Sequence, residues 1–309
     1  MDTFIQQIIN GLVLGSMYAL VALGYTMVYG VLNLINFAHG DVLMIGAMAG
    51  LTILRLLNEY APDLPGFVKL AIAIGGAIPV CMLVNILIER IAYRRLRNAP
   101  RLAPLITAIG VSILLQTFAM MIWGRNPLPF PPLLSSEPIT IGGALISQTQ
   151  LLLLVLAAGS MFGLVMLVEK TKMGRAMRAV AENPRVAGLM GVDSNKVIVA
   201  TFAIGAALAA VAGVMWGANY ASIQFAMGFV PGLKAFSAAV LGGIGNIYGA
   251  MIGGILLGII ESLGAGYIGE FTGGFLGSHY QDIFAFVVLI LVLTVRPSGI
   301  MGERVADRA

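Results

Sequence analysis

The sequence predicts an all-α polytopic membrane protein with about eight or nine membrane segments, and three observations carry that prediction. Of 309 residues, 59% are hydrophobic and 10% charged, with a mean hydropathy of +0.95, whereas soluble domains carry roughly a quarter charged residues. The apolar residues fall in long runs, such as Leu151 to Val168 and Ile283 to Val295, bounded by charged or Pro/Gly stretches. Those runs lack period-two alternation. Lipid cannot hydrogen-bond a free backbone, so they must be helices rather than barrel strands. One integral domain over residues 1–309 is expected, with a cytosolic loop at 169–196 within it.

Ile5 to Gly30 gives the first span. No Lys or Arg precedes Arg55, so this run lacks the positive flank of a secretory signal peptide and is expected to stay in place. Asp41 to Leu57, Val68 to Ile91, Ala103 to Trp123, Leu151 to Val168 and Val197 to Tyr220 follow as spans. Between them, Arg125 to Gln150 carries Pro127, Pro129, Pro131, Pro132 and Pro138; proline lacks the helical donor and clashes with the preceding turn, so this stretch is an external loop. Pro231 to Gly266 is apolar but cut by Gly242-Gly243-Ile244-Gly245-Asn246. At about 1.5 Å per residue it is short for two crossings and a turn, which predicts half-helices or a re-entrant pair. Residues 37–46 and 230–239 each place a glycine and a charged residue at the head of an apolar run. Either an inverted repeat or shared membrane composition produces such an echo.

Sidedness comes from the 18 Lys and Arg. Arg90, Arg94, Arg95, Arg97 and Arg101 form one cluster; Lys170, Lys172, Arg175, Arg178, Arg185 and Lys196 form a second; Arg296, Arg304 and Arg308 make the tail. The positive-inside rule assigns all three to the cytosol, which leaves the N-terminus outside and the C-terminus cytosolic. Positives gathered mainly in short loops between spans explain the net charge of +4 by topology, not by nucleic acid.

Few side chains suit chemistry. The single Cys81 allows no intrachain disulfide, and neither His39 nor His279 has a second ligand at metal spacing. No catalytic constellation and no Gly-x-x-x-x-Gly-Lys-Ser/Thr phosphate loop occurs in the sequence, so neither catalysis nor an ATPase site of its own is expected. The candidate solute path is Asn33, Asn36, His39, Gly40, Asp41 and Ser237. Asp41 is either a polar lining or gate, or a helix N-terminal carboxylate with His39 as a local cap. Glu89, with Arg90, is expected to snorkel from the end of its span, and Glu261 to make a buried polar contact. His279 and Asp282 are placed at the interface. Gly245, Gly249 and Gly253 recur every four residues, the spacing that lets helix backbones approach closely.

The longest polar stretch follows Val168. Asn183 before Pro184 is a helix-start signal and Gly191 a stop, predicting a short helix from Pro184 to Met190 after another over Met173 to Ala181. Val186, Leu189 and Met190 give the second helix an apolar stripe that needs a surface to dock against. This loop resembles the coupling loop of ABC-importer permeases. The run from Gly24 to Asp41, the stretch Arg178 to Pro184, Leu241 to Ala250 and the ending Arg296 to Gly302 together resemble the LivH-type permeases of branched-chain amino acid ABC transporters.

That resemblance implies a bacterial inner-membrane permease for branched-chain or related amino acids. Its implied partners are a LivM-type permease, two cytosolic ATPase subunits and a periplasmic substrate-binding protein. ATP would be used by the partners, with no cofactor bound by this chain, and Arg178, Glu182, Asn183, Pro184, Arg185 and Leu189 would couple to the ATPase. The alternative is an ion-coupled carrier or a channel for a small polar solute, with Asp41, Lys234 and Glu261 as coupling groups. The docking helix discriminates them, because a self-sufficient carrier has no use for one.

Overall fold

The computed structural model describes residues 2–97, 99–100, 102–134, 138–141, 143–271 and 281–302. Helix α1 (Asp2–Leu32) is followed by α2 (His39–Tyr60) and α3 (Gly66–Ile88), which runs through a π-helical turn at Glu89–Tyr93 into the short α4 (Arg94–Leu96). Then come α5 (Leu102–Trp123), α6 (Gln148–Lys170), α7 (Lys172–Glu182), α8 (Pro184–Leu189) and α9 (Ser194–Tyr220). The chain continues as α10 (Phe229–Gly242), α11 (Ile247–Phe271) and α12 (Gln281–Val295). Among the described residues, seven helices are long and apolar enough to cross a bilayer, and Phe229–Gly242 and Phe286–Val295 are shorter apolar helices.

Burial and apolarity are inverted relative to a soluble protein. The best windows of α1, α2 and α9 are 72%, 72% and 78% buried, yet those of α3, α5 and α6, all more apolar than α1 and α2, are 28%, 22% and 28% buried. Side chains such as Ile106, Met121 and Phe162 lie open on that outer surface, which is stable only where lipid replaces water as solvent. The centre is held by close backbone contact instead. Gly11 and Gly15 of α1 meet the backbone of Gly258, Ile259 and Ile255 in α11, leaving no room for a Cβ.

The interrupted region resolves into two unequal helices. α10 has 14 residues, about 21 Å, short of the roughly 30 Å hydrocarbon core. α11 has 25 residues, long and apolar enough to cross, so of the half-helices expected here only α10 has that length. Gly243 and Gly245 in the break adopt φ of +109° and +95°, a conformation that penalises any side chain. The C-terminal segment docks there: the Ile300 and Met301 N–H groups donate to the carbonyls of Leu241 and Gly242, each at 2.9 Å. These bonds satisfy carbonyls that the end of α10 would otherwise leave unpaired.

The proline-rich connection after α5 is ordered by short ladders. Strand β1 (Leu128–Pro129) pairs antiparallel with β4 (Ser222–Ile223), and β2 (Ile139–Ile141) with β3 (Ala144–Ile146). The Gln6 side-chain amide exchanges two hydrogen bonds with the Leu145 backbone, at 2.8 and 3.0 Å, tying the β2–β3 pair to the start of α1.

Candidate functional site

Three helices meet around a buried charge pair in the middle of the bundle. Lys234 of α10 lies with Nζ 2.6 Å from Glu261 Oε1 of α11, while the Tyr18 hydroxyl of α1 donates to Glu261 Oε2 at 3.0 Å. Lys234 Nζ also stands 5.8 Å from the Tyr18 ring centroid, within cation–π range. Glu261 is 14 residues along α11, about 21 Å by helical rise, so the pair sits near mid-span. Charge at that depth is expensive unless paired and marks a solute path by default.

A cleft of ≈ 290 Å³ leads to this pair from the end of the bundle where α6 begins and α9 finishes. Gln7 and Asn10 of α1, Asn219 and Tyr220 of α9, and Glu261 and Ser262 of α11 supply its polar wall, with Val13 and Leu14 on an apolar side. Ser262 Oγ donates to Gln7 Oε1 at 2.7 Å. Trp216 bridges Tyr18 and Tyr220, with ring centroids 6.2 and 4.7 Å away. At the other end of the bundle a smaller cleft of ≈ 120 Å³ lies between Thr26 and Gly30 of α1, Arg178 and Ala181 of α7, Thr201 of α9 and Gly245.

Most of the expected path residues build a turn. Asn33 is exposed with φ of +51° and ends α1. Asn36 Oδ1 accepts from the Ala38 N–H at 3.2 Å and from the Tyr93 hydroxyl at 3.1 Å. His39 does not cap α2; its ring fills the space above Gly24 and meets Tyr25 edge-on at 5.0 Å, with neither ring nitrogen hydrogen-bonded among the described residues. Gly40 is a crossing point, where a Cβ would strike the Gly228 carbonyl and lie 2.7 Å from Gly232 Cα of α10. Asp41 is 1% exposed and accepts from Gln116 Nε2 of α5 at 3.0 Å. None of these five lines either cleft. Ser237 is buried one turn beyond Lys234 on α10.

The packing glycines divide as well. Gly249 and Gly253 of α11 are pressed against the backbone of Gly242 and Ala238 in α10. Gly245 is corrected to a turn glycine: it precedes α11, and a Cβ there would meet nothing within 4 Å. Glu89 does not snorkel; it is fully buried and forms ion pairs with Arg94, at 3.1 Å, and Arg97, rather than standing with Arg90. His279 lies outside the described residues.

At the end of the bundle opposite the larger cleft, α7 and α8 form a helical knob. α7 buries Gly174, Met177 and Val180 against α1, α6 and α9. Asn183 Oδ1 caps α8, accepting from the Arg185 and Val186 N–H groups at 3.0 and 3.1 Å, with Pro184 in its first turn. Glu182, Arg185 and the apolar Val186, Leu189 and Met190 project outward, the last three 52%, 86% and 81% exposed. Arg178 turns back to donate to the Val168 carbonyl, so it closes the end of α6 as a cation at a helix C-terminus.

A helical membrane bundle with a paired charge at mid-span, a polar cleft leading to it and an amphipathic knob with an exposed apolar face is the architecture of a solute-translocating membrane protein. The chain belongs to the family described as branched-chain amino acid transport system / permease component, which matches residues 7–293. It is 46% identical over 304 residues to the high-affinity branched-chain amino acid transport system permease protein BraD of Pseudomonas aeruginosa, covering 97% of this chain and 96% of that one. To LivH of Escherichia coli K12, described in the same words, it is 44% identical over 305 residues, with the same coverage. A probable branched-chain amino acid transport permease protein LivH of Methanocaldococcus jannaschii is 30% identical over 313 residues, 95% of this chain and 91% of the relative. The chain is a multi-pass inner-membrane permease component.

Tyr18 and Gln116 were not singled out by the sequence, and Lys234 and Glu261 were named among candidate coupling groups but not as a pair. Two lone opposite charges in successive apolar helices are themselves a signal, because each must find a partner out of water.

Proposed function

We propose that this chain is the membrane-spanning subunit of an ATP-driven importer, translocating branched-chain amino acids handed over by a periplasmic binding protein. The α7–α8 knob carries this reading: a capped helix that leaves Val186, Leu189 and Met190 in water is a surface made for a partner. The partner is a cytosolic ATPase, one of two, which binds and hydrolyses ATP that this chain does not handle. A second, related permease completes the pore. The knob then lies in the cytosol with the C-terminus, and the larger cleft opens to the outside with the N-terminus. Basic residues crowd the knob side, whereas the loop from Gly124 to Ser147 carries Arg125 alone. Branched-chain substrates are supported by relatives that share nearly the full length of the chain.

The test is purification from native membranes in mild detergent with mass identification of what stays bound, followed by uptake in vesicles. Recovery of two ATPase chains and a second permease, with ATP-dependent leucine uptake, is the expected result. Recovery of this chain alone, still moving solute without ATP, would establish the carrier or channel instead.

A further inference from the structure

A buried ion pair rarely holds helices together better than apolar side chains of equal volume, because desolvating both charges offsets their attraction. Lys234 and Glu261 are 5% and 2% exposed, and α10 and α11 already meet backbone to backbone at Gly249 and Gly253. Cohesion therefore does not explain the pair. Its location does: Glu261 is in the wall of the larger cleft, whose amide, hydroxyl and aliphatic lining suits a solute with a polar head and an apolar tail.

An α-amino acid carries one carboxylate and one ammonium, the same two charges as the protein pair. Entering the membrane, it loses the hydration of both. We propose that Lys234 and Glu261 form a zwitterion gate, closed by their own ion pair and opened when the solute carboxylate takes Lys234 and its ammonium takes Glu261. One ion pair is exchanged for two, so no charge is left alone in the bundle. The Tyr18 hydroxyl, 3.0 Å from Glu261 Oε2, keeps that carboxylate hydrogen-bonded while Lys234 departs. Neutral amides and singly charged solutes supply at most half of the exchange and leave a protein charge unpaired, which excludes them. This inference rests on the amino acid importer reading and adds the residues that recognise the charged head.

The complete importer, with binding protein and ATP in proteoliposomes, is assayed for labelled leucine uptake with the wild-type chain and two double variants. K234M/E261Q removes both charges, and K234E/E261K keeps an internal pair of inverted polarity. Both are expected to assemble with the partner subunits, read by co-purification, while leucine uptake falls tenfold or more. Loss of less than tenfold in either assembled variant overturns the gate. Failure of both variants to assemble also overturns it, since the pair is then structural. A wild-type importer that moves no amino acid overturns the importer reading itself, an outcome distinct from normal uptake by the variants.

Discussion

His39 sits where Gly24 leaves a space, and that complementarity governs the joint between α1 and α2. Gly24→Ala should destabilise the protein by about 1–3 kcal/mol through overpacking. His39→Ala in the same chain should recover much of that loss, as a double-mutant cycle of thermal unfolding in detergent would report. Asp41 belongs to the same joint. It adjoins Gly40, which seats the first turn of α10, and Lys234 stands two residues beyond Gly232 on that helix. Asp41→Ala is therefore expected to lower leucine uptake more than it lowers abundance in the membrane; a wild-type uptake rate would remove Asp41 from the transport path. The sequence marked these residues as unusual, since polar groups in apolar surroundings stand out. It did not separate those that line a cleft from those that lock a turn, because both bury polar atoms.

Among the elements, α10 and α11 depend on close approach. Gly249→Leu would drive a side chain into the Gly242 backbone and should abolish assembly; normal protein levels with normal transport would refute this. The α7–α8 knob is different, because its local geometry was readable before any contact was known. Asn183 followed by Pro184 encodes the start of α8, and the cap forms as those residue types require. Asn183→Ala should cost about 1 kcal/mol of local helix stability, visible as faster amide exchange in α8. Arg185→Glu leaves that cap intact, so the membrane bundle should fold while ATP hydrolysis is uncoupled from uptake. Unchanged uptake would take the knob out of the mechanism.

At the scale of the whole molecule, the segment around Ile300 and Met301 closes the break between α10 and α11. A chain shortened to end at Pro297 loses the two hydrogen bonds to Leu241 and Gly242, and should lose about 1–3 kcal/mol of stability in thermal unfolding. The sequence by itself determined the helical spans up to Tyr220, the proline-rich loop, the glycine break and the capped knob. Each depends on hydrophobic length, proline geometry or capping, which act within a few residues. Only the tertiary structure decided that Tyr18 meets Glu261 across 243 positions, that Gln116 reaches Asp41, and that Glu89 pairs with Arg94 and Arg97. It also decided which helices are central. In water, an apolar stripe reveals the buried face of a helix, but in lipid the outer and inner faces are both apolar, so hydrophobicity fixes where a helix crosses and not which neighbour it meets.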